Sequence, residues 1–259
     1  MRKFVLMLTA AMFMLATSVY GAEKSEKKLD VKPFNVINVM GSVEVVYEQG
    51  NSYEVRLVGD AAAFDQIRTE CNGSALNIAK TSKLIGNVYV DTSESSNKCS
   101  VVVHVKAPDV SVFNMAGSGM IVVGKMKSTA VTFNQAGSGK IAVSQVVADH
   151  ANFNNAGSGR IFVDDVKADY VGLTMAGSGT ITSRIGKADD LNCVLTGSGS
   201  ISVSGKVGSY KNTVIGAGSL NDSMLKYDKL IDLGRNVNVG NTYNSRRQDS
   251  PDGVINARP

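Results

Sequence analysis

Five serines recur at twenty-residue intervals, each between two glycines: Ser118, Ser138, Ser158, Ser178 and Ser198. A serine can serve as a nucleophile, but that chemistry needs one hydroxyl beside one base, and five equivalent copies offer no such pairing. A second recurrent set is Asn114, Asn134 and Asn154, continued by Thr174. Stacked asparagines form amide ladders between layers, and the same row can offer hydrogen bonds to a sugar. The densest charged group is Asp164, Asp165, Arg184, Lys187, Asp189 and Asp190. General acid–base cleavage of a polysaccharide would be sought there. These residues also fall at the turn side of two adjacent repeats, where solvated charge is expected without catalysis.

Metal and cofactor chemistry finds little support. His104 and His150 are the only histidines and are far apart in sequence. Of the three cysteines, Cys193 falls in an apolar column and reads as a small core residue. Cys71 and Cys99 are left as a candidate disulfide in an oxidising compartment. Calcium-binding solenoids place Asp beside their turn glycines, whereas Met120, Lys140, Arg160, Thr180 and Ser200 stand here. After Gly117-Ser118-Gly119 come Met120, Ile121 and Val122, so the third glycine and the helix of a dinucleotide-binding turn are missing. Gly205-Lys206 lacks a surrounding phosphate loop. No metal, cofactor or catalytic residue is expected.

The element that must carry these residues is the repeat itself. Gly117, Gly137, Gly157, Gly177 and Gly197 each open a Gly-Ser-Gly triplet closed by Gly119, Gly139, Gly159, Gly179 and Gly199, and Gly216-Ala217-Gly218 is a degenerate sixth copy. Four residues after each first glycine stands Ile121, Ile141, Ile161, Ile181 or Ile201, then Leu220. Two further on come Val123, Val143, Val163, Ser183 and Val203. Four residues before it stand Phe113, Phe133, Phe153, Leu173 and Cys193. Offsets of two mark strands with one buried face. A third apolar element, as in Val146-Val147-Ala148, closes each repeat before Asp149, Asp169 or Asp189 begins the next turn. A twenty-residue repeat cannot bury its own apolar face, but stacked coils can. The sequence therefore predicts an all-β fold: a right-handed parallel β-helix with coils of about 20 residues, its glycines supplying positive φ at one stacked corner.

Residues 33–107 lack the triplet and read as a β-rich capping region, with a brief helix after Asp60 as N-cap. Residues 108–240 hold the repeats, Leu230 to Val239 reads as an atypical final coil, and 243–259 reads as a flexible tail. At the front, Arg2 and Lys3 precede an apolar run from Phe4 to about Ala16, with Val19 and Gly21 placed for cleavage before Ala22. Residues 1–21 read as a secretory signal peptide. Its apolar run is short of the ~20 residues that span a bilayer, and no cysteine stands at the cleavage point to carry a lipid. Export to the periplasm, cell surface or medium follows, without membrane insertion. Formal net charge is +4, of which Arg2 and Lys3 carry two, leaving +2. With scattered basic residues, that gives no footprint for nucleic acid.

The opening run Phe34-Asn35-Val36-Ile37-Asn38-Val39-Met40-Gly41-Ser42-Val43-Glu44-Val45, Gly59-Asp60, Leu76-Asn77-Ile78 and the recurring Ala-Gly-Ser-Gly together resemble the bacterial DUF2807 family, the head GIN domain of putative auto-transporter adhesins, over residues 33–240. The resemblance implies an exported β-helical protein, of a kind found in Bacteroidetes, with a role in adhesion. It supplies no catalytic residues. The expectation is a non-enzymatic envelope protein that meets a glycan or protein ligand through a solenoid face. The alternatives are a polysaccharide-acting β-helix enzyme and a structural or signalling partner in the envelope. Candidate surface residues are Phe162, beside Val122 and Ala142, for homo-oligomer contacts, and Tyr170 and Tyr210 for stacking on sugars.

Overall fold

The computed structural model describes residues 25–80, 83–85, 88–90 and 101–236. The leader, the tail and Cys99 lie outside the described residues. Sixteen strands run in chain order: β1 (Ser25–Leu29), β2 (Val36–Gly41), β3 (Glu44–Gln49), β4 (Glu54–Gly59), β5 (Ile67–Asn72), β6 (Ala75–Lys80), β7 (Lys83–Ile85), β8 (Val88–Val90), β9 (Val102–Ala107), β10 (Val112–Gly117), β11 (Met120–Gly137), β12 (Lys140–Asn155), β13 (Arg160–Gly177), β14 (Thr180–Gly197), β15 (Ser200–Ile215) and β16 (Ser219–Asn236). All but the β7–β8 hairpin belong to one sheet.

From β11 onward each coil is a single strand of 16 to 18 residues, bent into a loop and paired in parallel with the coils on either side. The result is a β-solenoid of twenty-residue coils. Twenty-residue spacing becomes direct stacking: Ile121 pairs with Ile141, Ile141 with Ile161, Ile161 with Ile181 and Ile181 with Ile201. All five isoleucines are buried, and each contributes about 1.5–3 kcal/mol by leaving water. The Phe column stacks likewise, with Phe113 and Phe133 4.8 Å apart at 10° and Phe133 and Phe153 5.1 Å apart at 1°.

The expected turn at Asp149, Asp169 and Asp189 does not interrupt the strands. The ladder only skips a rung, passing from Ser128–Ala148 to Ala130–His150, with a similar skip between Val123–Val143 and Lys125–Gln145. These two bends and the Gly-Ser-Gly corner divide the coil β11–β12 into three faces. Face A runs from 120 to 123, face B from 125 to 128 and face C from 130 to 137.

The region before the repeats caps the solenoid and also lengthens it. β2 lies in register with β10, so that Asn38 meets Asn114 and Gly41 meets Gly117, while β3 pairs in parallel with the start of β11. β6 and β9 add another layer in parallel on β2 and β3. Only then does the pairing change direction: β5 runs antiparallel to β6, and on face A β4 runs antiparallel to β9 and β1 antiparallel to β4. This reversal covers an edge that would otherwise template further strands. A 3₁₀ helix, Ala61–Gln66, follows β4; Asp60 caps it, its carboxylate accepting the Ala62 N–H at 3.0 Å. Phe64 is buried, and Phe34 packs edge-on to Tyr53 at 5.3 Å.

Face B has no counterpart on β3, and Gln49 substitutes for it. Its amide accepts from Lys127 N at 2.7 Å and donates to Lys127 O at 2.7 Å and Pro108 O at 2.8 Å. A side chain thus satisfies main-chain groups that a strand would otherwise pair. At the far end, β16 takes up the sixth copy as one strand from Ser219 to Asn236, with Leu230 opposite Tyr210. Leu230 therefore belongs to the coil begun at Ser219 rather than to a separate final coil.

Candidate functional site

The Gly-Ser-Gly corners are held from coil to coil by main-chain hydrogen bonds. Gly117 O accepts both Ser138 N (3.0 Å) and Gly139 N (2.8 Å), and Gly119 O accepts Lys140 N (2.9 Å). The pattern repeats one coil on, where Gly137 O accepts from Ser158 and Gly159. The two glycines of a triplet differ in backbone conformation. Gly117, Gly137, Gly177 and Gly197 have φ between +108° and +136°, a region that a side chain strains. No such angle is found at the second glycine. There a Cβ would strike the coil below: at Gly139 it would lie 2.7 Å from Gly119 O. The first glycine stacks just as closely, a Cβ at Gly137 lying 2.6 Å from Gly117 O and one at Gly157 closer still to Gly137 O. Close stacking thus constrains both glycines, and positive φ is a further demand at the first glycine of every corner but that of Gly157.

The serines point to solvent. Ser178 and Ser198 form one hydroxyl–hydroxyl hydrogen bond between corners at 3.3 Å among the described residues. Since the corner is already satisfied by backbone, the hydroxyls are left over. An open depression of about 340 Å³ runs along the first corners, lined by Ser42, Glu44, Ser118, Ser138 and Lys140 among others.

The asparagine row is longer than the repeats suggest. Asn154 donates to Asn134 (2.9 Å), Asn134 to Asn114 (2.8 Å), Asn114 to Asn38 (2.7 Å) and Asn38 to Asn77 (2.8 Å). Asn38 and Asn77 escape the sequence reading because no Gly-Ser-Gly follows them. A signal was there: Asn38-Val39-Met40-Gly41-Ser42 matches Asn114-Met115-Ala116-Gly117-Ser118 position by position. The ladder runs along the middle of face C. Flanking it on the corner side are Met40, Ala116, Ala136, Ala156 and Ala176, all exposed. On the other side lie Val112, Thr132, Asn152, Gly172 and Asn192.

Two inward polar residues also went unread. Asn155 ties its own corner, donating to Gly159 O at 2.7 Å and accepting from Gly157 N at 3.2 Å. Gln135, next to it in the same column and equally buried, has its amide against Gly159, where a Cβ would lie 2.6 Å from Nε2.

The three aromatic candidates separate. Phe162 is 37% exposed on face A, between Ala142 and Thr182. Tyr170 is half-buried at the margin of face C: it lies against Gly172, receives a 3.5 Å hydrogen bond from Asn192 and sits 6.0 Å from the His150 ring. Tyr210 is fully buried and is not a surface residue. The nineteen-residue spacing between the fifth and sixth corners appears as a register shift between Ile185 and Ala188, after which Tyr210 pairs with Leu191, in the interior column, rather than with Asp190. Its hydroxyl donates to Asp222 at 3.0 Å, and burial raises its pKa strongly.

Of the charged group, Asp164, Asp165 and Arg184 come together, while Lys187, Asp189 and Asp190 stand exposed. A bulge between Val163 and Val166 turns Asp165 inward, where it accepts from Gln145 Nε2 at 2.9 Å and faces Arg184 Nη1 at 3.2 Å; Asp164 lies 3.8 Å from the same guanidinium. Cys193 is buried, which pushes its thiol pKa up. Cys71 is half-buried, with Sγ 3.8 Å from Lys32 O. Among the described residues no helix is long and apolar enough to cross a membrane.

Three solved structures share the fold. A protein described as a putative lipid binding protein from Parabacteroides distasonis matches with TM-score 0.58 and 22% identity, over 79% of this chain and 96% of that one. A putative adhesin from Parabacteroides merdae matches with TM-score 0.57 and 19% identity, over 82% and 90%. A putative adhesin from Bacteroides fragilis matches with TM-score 0.51 and 15% identity, over 80% and 97%. No curated protein matches the chain. The model of DUF2807, described as putative auto-transporter adhesin, head GIN domain, matches residues 33–164 and 151–231, and the chain belongs to that family.

Proposed function

We propose that this chain is an exported, non-enzymatic binding module of the cell envelope, which contacts a glycan or protein through one face of the solenoid. The observation that carries the reading is face C itself, a parallel sheet whose central outward columns hold small polar and apolar residues, with the alanine row open to solvent. Membership of an adhesin family supports it, as do relatives described as adhesins and as a lipid binding protein. Asp165, the buried member of the charged cluster that best suited an enzyme, is held in structure by Gln145 and Arg184. Export rests on the leader at residues 1–21, and the module itself spans residues 33–240, followed by a tail at 243–259. Phe162 is a secondary candidate for contact between copies.

Purified residues 22–259 should bind a cell-envelope fraction saturably, and protease shaving of intact cells tells whether the binding face is displayed outside. Release of soluble or unsaturated products from uronic-acid polymers would overturn the reading in favour of an enzyme. Mass spectrometry of the exported protein should find Ala22 at its N-terminus.

A further inference from the structure

Face C carries no charge in the three outward columns of Thr132, Asn134 and Ala136 across seven consecutive strands, β6, β2, β10, β11, β12, β13 and β14, while charge stands at its margins, with Asp190 beside Tyr170 and Lys80 at the corner end of β6. Its outward positions there are Val, Ala, Gly, Asn, Thr and Met, in a protein of which 19% is charged. Face A, by contrast, presents Glu44, Lys140 and Arg160, and face B presents Lys125 and Lys127. At a strand spacing of ~4.8 Å the uncharged area extends roughly 30 Å along the solenoid axis.

Within it, the ladder leaves regular hydrogen-bonding capacity. An amide has two N–H donors and two acceptor lone pairs. Asn38, Asn114 and Asn134 each spend one donor and one acceptor on their neighbours. Each keeps one of both, and the set repeats at the strand spacing. Beside the amides runs the exposed methyl row of Ala116, Ala136 and Ala156. At the margin the Tyr170 ring rests on Gly172, held by Asn192.

We propose that face C binds an uncharged polysaccharide laid along the asparagine ladder, its hydroxyls meeting the spare amide groups and its C–H surfaces resting on the alanine row and the Tyr170 ring. This deepens the binding-module reading and rests on it. The chemistry argues for a neutral, hydroxyl-rich polymer in particular. A charged ligand would surrender hydration over three columns that return no opposite charge, and a purely apolar one would leave the spare amide donors and acceptors unpaired. A repeating ligand also matches a repeating surface, since every register shift by one coil finds the same groups.

The test is retention of residues 22–259 on insoluble cellulose, chitin and starch granules, with polygalacturonate as the charged comparison. Binding to at least one neutral polymer, weakened about tenfold or more by Ala136→Lys with Ala156→Lys and also weakened by Tyr170→Ala, is the expected result. Ala142→Lys on face A should leave it unchanged. All these sites are at least partly exposed, and the circular dichroism and melting of each variant report its fold. Retention by none of the neutral polymers overturns the inference. Retention that the lysines do not weaken assigns the ligand to another face and leaves the module reading standing. A doubled mass in light scattering that Ala136→Lys abolishes assigns face C to a second copy and overturns the polysaccharide. Loss of envelope binding altogether would sink the broader reading as well.

Discussion

At the residue scale, the corner triplet sets a solvated serine between two glycines that both press on the adjacent coil, the first with positive φ as well at four of the five corners. Gly139→Ala would place a methyl 2.7 Å from Gly119 O and should cost roughly 1–3 kcal/mol in urea unfolding, whereas Ser138→Ala, at an exposed hydroxyl, should stay within about 0.5 kcal/mol. Equal effects would contradict the division. The asparagine ladder makes a graded prediction. Asn134→Ala breaks two rungs and Asn77→Ala one, so at about 1 kcal/mol per hydrogen bond the inner substitution should be the more damaging. Periodicity exposed the three repeated asparagines. Asn38 and Asn77 were hidden because their layers have lost the Gly-Ser-Gly mark while keeping the register.

At the scale of elements, each coil depends on its neighbours for its interior. Phe133 lies between Phe113 and Phe153 in parallel stacking, and Phe133→Ala should lower stability by about 3–5 kcal/mol. The cap adds a pH dependence. His104 on β9 lies between β3 and β4, where burial, followed by the charge of Arg56, lowers its pKa below 6.5, partly offset by Glu26. Arg56 is itself paired with Glu54 at 2.8 Å and Glu26 at 3.3 Å. The folded cap therefore favours neutral His104. Its contribution is complete above pH 6.5 and declines as pH falls from there through the lowered folded value, because the unfolded chain takes up the proton first. Thermal unfolding at pH 7.5 and 5.5 should show a drop that shrinks in His104→Gln; an unchanged drop would assign it to other groups.

For the whole molecule, stability should be distributed as in other solenoids, by contacts between adjacent coils. β13 has a parallel neighbour on both sides, whereas β16 pairs with β15 alone among the described strands, with Met224 69% exposed. Amide deuterium exchange should be slowest in β12 to β14 and fastest in β16. Uniform protection through β16 would show that another segment covers it. Twenty-residue spacing alone dictates a solenoid, because stacking is the way to bury the Ile and Phe columns. It could not place what departs from the period. The shift after Ile185 that carries Tyr210 inside, the bulge that buries Asp165, and the two added layers at β2/β3 and β6/β9 depend on which backbone groups find partners across coils distant in sequence. The same holds for face C, whose uncharged columns become one surface only when seven strands from separate stretches of chain are set side by side.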